Sequence, residues 1–211
     1  MSGGRGVEAD LLAQGYRVRE RWDIADVLAF VRRELSRNTP IVLAFYAVLL
    51  GLLILGAAAA VALVGSGTRW FTEVLVPLGA GMVMMLVVVV PHELLHGLAY
   101  KAIGAPEVRY GANLRQLVFH ASAPFFPVRY AQMAFVALLP FAVITAALTV
   151  GLAVLGGAWW WACYGLALMH TQGCLGDVAM VSFFARQEEP ARWATFDDGD
   201  EQTFVMLERA S

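Results

Sequence analysis

The sequence predicts an all-α membrane protein with four transmembrane helices, an amphipathic N-terminal helix and small β-hairpins on the cytoplasmic side. Of its 211 residues, 59% are hydrophobic and only 15% are charged, which is too apolar for a typical soluble domain. The apolar residues also come in four blocks, each long enough to cross the roughly 30 Å hydrocarbon core of a bilayer. We therefore expect the lipid bilayer as a partner and no nucleic acid.

The first 40 residues are predicted to form a cytoplasmic arm. They open with a glycine-rich segment that is expected to be mobile, and the alternation in GYRVRERW then predicts at most a short strand. From Asp23, a candidate N-cap, apolar side chains recur on one helical face: Ile24, Val27, Leu28, Val31 and Leu35. This pattern is typical of a helix that lies on the membrane surface, but it also fits a helix packed against protein.

Residues 41–184 are predicted to form the membrane core. Its four spans cover about 41–64, 74–100, 131–155 and 159–184. The loop 105–130, between spans two and three, has strand-like stretches at 108–110 and 116–120 and is interpreted as a hairpin. In the cytoplasmic tail, residues 185–211, a second hairpin is expected to turn at Asp198-Gly199. We assign no chemistry to the acidic residues of this turn, which are Asp197, Asp198, Asp200 and Glu201.

The distribution of basic residues predicts the orientation. Seven arginines precede the first span and four basic residues lie within 101–130, whereas the opposite side of the core has only Arg69. Because lysine and arginine are enriched in cytoplasmic loops, both termini and the 105–130 loop are predicted to be cytoplasmic. The protein is expected to be a multi-pass protein of the cell membrane.

An ionisable cluster closes the second span. The run MVMMLVVVVPHELLHGLAY carries His92, Glu93 and His96 to membrane depth, where such side chains are rare and usually functional. His92 and His96 are i and i+4 on one helical face, so both can bind one zinc ion. Glu93 is then the candidate base for an attacking water.

A third ligand is expected, because a catalytic zinc normally has three protein ligands. Asp177 is the only carboxylate in the predicted spans three and four. It follows Trp159 by 18 residues, as His92 follows Val74 by 18, so both residues should reach a similar depth. The alternatives for Asp177 are a helix cap or an ion pair with an arginine.

Three further residues are candidates for a secondary site. His170 lies two turns before Asp177 on the same face and could hydrogen-bond the site, although an interhelical hydrogen bond explains it equally well. Cys174 could be a soft ligand, but a small buried side chain is the favoured interpretation. His120, in the loop, is more typical of a surface histidine than of a ligand.

Taken together, these residues resemble a known family. PHELLHG at the end of one span, a hairpin-like loop, and Gly176-Asp177 in the next span but one are similar to the small integral-membrane putative zincin peptidase family. More distantly, they resemble the site-2 protease group of intramembrane zinc proteases, which usually carry a D-G pair where this chain has G-D. The resemblance implies His92, His96 and Asp177 as zinc ligands, with one zinc per chain, and Glu93 as general base.

The predicted function is therefore that of an intramembrane zinc metalloprotease, which cleaves membrane-anchored peptides or proteins near the cytoplasmic leaflet. The edge of the 105–130 hairpin could receive an extended substrate by strand addition. One alternative is a non-catalytic membrane scaffold with a structural or vestigial metal site, which a closed four-ligand set would favour. A transporter is disfavoured because the ionisable residues cluster towards one side of the membrane.

Overall fold

The computed structural model describes residues 3–23, 26–113, 118–199 and 203–210, and it is mostly helical with two small sheets. The helices are α1 (Gly3–Ala13), α2 (Val27–Leu35), α3 (Pro40–Ala62), α4 (Val76–Ala102), α5 (Tyr130–Val154), α6 (Gly157–Gly173) and α7 (Leu175–Ala185). The strands are β1 (Tyr16–Asp23), β2 (Arg109–Asn113), β3 (Val118–Ser122), β4 (Val128–Arg129), β5 (Trp193–Asp198) and β6 (Thr203–Arg209). The helical class and the small β-hairpins predicted from the sequence are confirmed.

Within the described part of the chain, three helices are long and apolar enough to cross a membrane. They cover Pro40–Ala62, Phe71–Ala102 and Tyr130–Val154, and the second includes a π-helical turn, Phe71–Leu75, that leads into α4. Thr39 caps α3, where its hydroxyl accepts a hydrogen bond from the backbone N–H of Val42, and Pro40 occupies the first helical position. Local capping and an uninterrupted apolar run therefore explain where α3 begins.

The predicted fourth span consists of two helices rather than one. α6 and α7 meet at Cys174, whose backbone (φ −84°, ψ 7°) leaves the helical region. Gly173 and Gly176 flank the break, and glycine has a low helix propensity. The break places Asp177 in the first turn of α7.

The N-terminal arm differs from its prediction at two points. The glycine-rich start, for which the sequence predicted no helix, contains α1, whose Leu11 is buried against the sheet. α2 begins at Val27, with Asp26 rather than Asp23 at the N-cap, while Asp23 ends β1. Ile24, assigned to the apolar face of this helix, lies outside the described residues.

α2 packs against protein, the second of the two alternatives for this helix. Phe30 and Glu34 are buried, and the ring of Phe30 lies 6.1 Å from that of Phe183 in α7. The Glu34 carboxylate accepts hydrogen bonds from Arg186, at 2.9 and 3.2 Å. An aromatic contact and an ion pair thus attach α2 to α7.

The sheets join distant parts of the chain. β2 and β3 form the hairpin predicted in the 105–130 loop, and β5 and β6 form the second predicted hairpin. Residues 116–117 of the first hairpin, and Asp200 and Glu201 of the second, lie outside the described residues. β1 pairs with β6, so a four-stranded antiparallel sheet has the order β1-β6-β5-β4. Its aromatic contacts with α2 and α7, such as Trp22 with Phe183, form the core beside the membrane helices.

Candidate metal centre

The site is assembled on two helices that approach each other unusually closely. A Cβ atom at Gly81 of α4 would collide with the backbone carbonyl of Ala162 in α6, and one at Gly165 of α6 would collide with the carbonyl of Leu78. Only glycine permits this approach at both positions. It brings the end of α6, and with it the start of α7, alongside the HELLH segment of α4.

Three ligand-type side chains converge there. The Nε2 atoms of His92 and His96 are 3.1 Å apart. The two carboxylate oxygens of Asp177 lie 3.4 Å from His92 Nε2 and 3.3 Å from His96 Nε2. Zinc bonds of about 2.0–2.1 Å in a tetrahedron place ligand atoms about 3.3 Å apart. The three groups thus fit one zinc ion, and the position left open by three ligands is available to a water or a substrate.

The orientation of His96 is fixed by a backbone group. Its Nδ1 lies 2.9 Å from the carbonyl oxygen of Val136 in α5. A carbonyl only accepts hydrogen bonds, so this nitrogen carries the proton and donates it. Nε2 then keeps its lone pair towards Asp177, which is the state that a metal ligand requires.

Asp177 occupies a favourable place for a carboxylate. The helix break puts it in the first turn of α7, where the partial positive charge of the helix N-terminus stabilises an anion. Its side chain is 18% exposed, and the exposed part faces a cavity.

Glu93 lies next to this cluster with one oxygen free. Its carboxylate accepts a hydrogen bond from the backbone N–H of Ala121 in β3. Among the described residues, none hydrogen-bonds its buried Oε2 atom. A buried carboxylate oxygen usually has a hydrogen-bond partner, and its place beside the histidines makes Glu93 a candidate proton acceptor.

A single cavity of about 580 Å³ connects these groups. His92, Glu93, His96 and Asp177 all line it. The remaining wall is mostly apolar and comes from five helices. Four of them contribute methionines, Met82, Met85, Met133, Met169 and Met180, and α2 contributes Val27, Leu28 and Val31. The α2 face that was predicted to lie on a membrane surface thus borders the cavity, and Leu28 on this face remains exposed.

The other candidates from the sequence separate into two groups. His170 and Cys174 are buried, and with His92 they form a second group of ligand-type atoms. His120 also lines the cavity, but among the described residues it belongs to neither group. No pattern in the sequence indicates the roles of the Val136 carbonyl and the Ala121 N–H, because both are backbone groups positioned by tertiary packing.

Comparison with protein families agrees with this geometry. The model of a family described as putative zincin peptidase matches residues 85–191, which include the HELLH segment and Asp177. The chain belongs to this family. No curated protein and no solved structure matches it. For this zincin peptidase, family membership supports a metallopeptidase and implies zinc, and the His92, His96 and Asp177 cluster provides a suitable ligand set.

Proposed function

We propose that this zincin peptidase is an intramembrane metalloprotease of the site-2 type, which hydrolyses peptide bonds in membrane-anchored substrates near the cytoplasmic leaflet. One observation carries the proposal: the convergence of His92, His96 and Asp177 beside Glu93, in a cavity at the end of a helix able to span a membrane. Ionisable residues at such a depth are functional candidates by default.

Each residue of the site has a distinct role in this proposal. His92 and His96 through Nε2, and Asp177 through its carboxylate, hold zinc. A zinc ion bound there supplies a Lewis acid that polarises the scissile carbonyl and acidifies a water molecule. Glu93, with its free Oε2, accepts a proton from the attacking water and delivers it to the leaving amine.

The outer edge of β3 is the proposed platform for the substrate. Ala121 pairs with Tyr110 of β2 in register, yet its N–H is directed at Glu93 and away from β2. In an antiparallel pair the residues with outward N–H groups alternate, so Phe119 shares this edge, and both Phe119 and Ala121 line the cavity. An unwound substrate segment can add to this edge as a strand, which brings its peptide bond next to Glu93.

The strand pairing supports four membrane crossings. β1 precedes α3 and β6 follows α7, and the two strands pair along their length. Both therefore lie on one side of the membrane, which requires an even number of crossings. Since α3, α4 and α5 account for three, we assign the fourth to α6 and α7 together. β4, between α4 and α5, belongs to the same sheet and agrees with this path.

The excess of lysine and arginine on the side of the sheet supports a cytoplasmic location for both termini, and we propose the cell membrane as the site of action. Under this orientation, the HELLH segment and the start of α7 lie towards the cytoplasmic leaflet. The HELLH segment lies at the end of α4 and the start of α7 follows α6, and both of these helices start at the opposite face of the membrane. The equal spacings of 18 residues, from Val74 to His92 and from Trp159 to Asp177, agree with this arrangement.

Glu93→Gln tests the proposal. Wild type, Glu93→Gln and, as a matched control, Glu73→Gln at the exposed start of the same helix are incubated with isolated membranes. New peptide termini are then identified by mass spectrometry, and zinc content is measured in the purified proteins. We expect one zinc per chain in all three proteins, and cleavage that falls at least about 100-fold in Glu93→Gln alone. Cleavage by Glu93→Gln at the wild-type rate would refute the protease.

A non-catalytic scaffold is the second candidate, because His92, His170 and Cys174 form a fully buried group of ligand-type atoms. Structural zinc is usually buried and bound by four ligands, so this group would need one further ligand. Tightly bound zinc together with no new peptide termini from the wild type would favour this function over proteolysis.

A further inference from the structure

We infer that His170 is a positioning residue for His92, which it orients by accepting a hydrogen bond from His92 Nδ1–H at its own Nε2 atom. This inference rests on the zinc site of the proposed function and extends it to a residue outside the HELLH motif. The two ring nitrogens are 3.4 Å apart, and both side chains are buried.

Accounting for protons gives the direction of this hydrogen bond. His92 Nε2 faces His96 and Asp177, so it must keep its lone pair in order to bind zinc. A neutral imidazole carries one proton, which must then reside on Nδ1. The only group that this nitrogen meets among the described hydrogen bonds is His170 Nε2, which therefore accepts. The proton of His170 then resides on its Nδ1, a buried atom to which no described residue hydrogen-bonds.

The His170 ring is held in a defined orientation by its surroundings. It is 1% exposed, and its ring stacks on Phe141 of α5 with a centroid distance of 6.4 Å and an interplanar angle of 9°. The arrangement parallels that of His96, whose Nδ1–H donates to the Val136 carbonyl. Each motif histidine thus has its tautomer set by a group on another helix, as is usual for metal-binding histidines.

A second metal ion bound by His92, His170 and Cys174 is the competing interpretation, and three observations oppose it. The Cys174 thiol already donates to the His170 carbonyl oxygen, at 3.2 Å. His96 and Asp177 line the cavity, whereas in the described part of the chain His170 and Cys174 lie behind its wall. If one metal ion were bound by each of the two ligand sets at the same time, His92 would have to bind one ion through each ring nitrogen. It would then lose its remaining proton.

Zinc affinity is the measurement that tests this inference, because it needs no substrate. The His170→Phe variant keeps a ring against Phe141 but removes the acceptor. His170→Gln restores an acceptor near the Nε2 position, and Cys174→Ala is the matched control for the competing site. Dissociation constants of the full-length protein in detergent are obtained by competition with a chromophoric chelator.

We expect zinc binding about 10–100-fold weaker in His170→Phe, a partial return towards wild-type affinity in His170→Gln, and one zinc per chain at wild-type affinity in Cys174→Ala. Wild-type affinity in His170→Phe would overturn the inference, as would a second zinc that is lost in Cys174→Ala. A wild type that binds no zinc would instead refute the proposed function itself. If His170→Phe does not fold, nitrogen chemical shifts of the zinc-loaded wild type decide, since a protonated Nε2 on His170 contradicts the assigned tautomer.

Discussion

Replacing Gly81 with alanine should separate α4 from α6 and weaken the metal centre. A Cβ at this position would lie 2.7 Å from the carbonyl carbon of Ala162, whereas ordinary van der Waals contact begins at 3.4 Å. The helix backbones must therefore part by at least about 0.7 Å, because neither contacting group is a flexible side chain. Overpacking of this kind typically costs about 1–3 kcal/mol.

Gly79→Ala provides a control two residues away on the same helix. Nothing lies within 4 Å of a Cβ at Gly79, and the gain in helix propensity should stabilise this variant by up to about 1 kcal/mol. Because Gly81→Ala gains the same helix propensity, the two variants should differ by the overpacking cost, about 1–3 kcal/mol in the free energy of unfolding. For a protein of this size, the difference corresponds to roughly 2–12 °C in thermal midpoint.

The assay is thermal unfolding in detergent, accompanied by a zinc titration of both variants. Metal ligands tolerate displacements of about 0.2 Å, so Gly81→Ala should also bind zinc more weakly than Gly79→Ala. Equal midpoints and equal zinc affinities for the two variants would show that α4 and α6 do not pack through Gly81, and that this contact does not build the site.

Two further predictions concern stability. Burial raises the pKa of the Asp197 carboxyl, although its hydrogen bond with Ser122 and the proximity of His120 oppose this shift. The pKa of Asp197 in the folded state is thus above its unfolded value, and the folded protein loses stability as the pH rises through the folded-state pKa. Asp197→Asn removes this loss, so it should raise the thermal midpoint at pH 7. The difference in midpoint between variant and wild type should disappear as the pH falls towards 3.8. Glu34→Ala should destabilise by about 2 kcal/mol, less than the 3–5 typical of a broken buried pair because Arg186 is 33% exposed and can rehydrate. A double variant, Glu34→Leu with Arg186→Met, should recover most of that loss in the same unfolding assay, and equal losses in the single and double variants would contradict this account.

The local parts of the site could be predicted from the sequence, because they depend on spacing within one helix. His92 and His96 share a face simply because they are four residues apart. Asp177 required a long-range argument, in which equal path lengths from one membrane face put it at the depth of His92. That argument works because a bilayer restricts helices to nearly parallel paths, which a soluble domain does not.

The features that the sequence did not predict depend on contacts between distant segments. The pairing of β1 with β6 joins one strand that precedes the whole membrane core in the sequence with one that follows it. No local pattern specifies which strand edge another strand will pair with. The glycine-rich start of α1 has little helix propensity, and the burial of Leu11 against β5 and β6 overrides that tendency. The end of α6 at Cys174 depends on packing as well as on its two flanking glycines.

The order of strands in the larger sheet has a consequence for biosynthesis. β6 lies between β1 and β5, so β1, although translated first, has no neighbour until the last of these strands has left the ribosome. Throughout insertion of the helices, its unpaired edge is exposed to other chains and to chaperones. A nascent chain that stalls before Thr203 would keep this edge open. The four-stranded sheet would then form only after translation has passed β6.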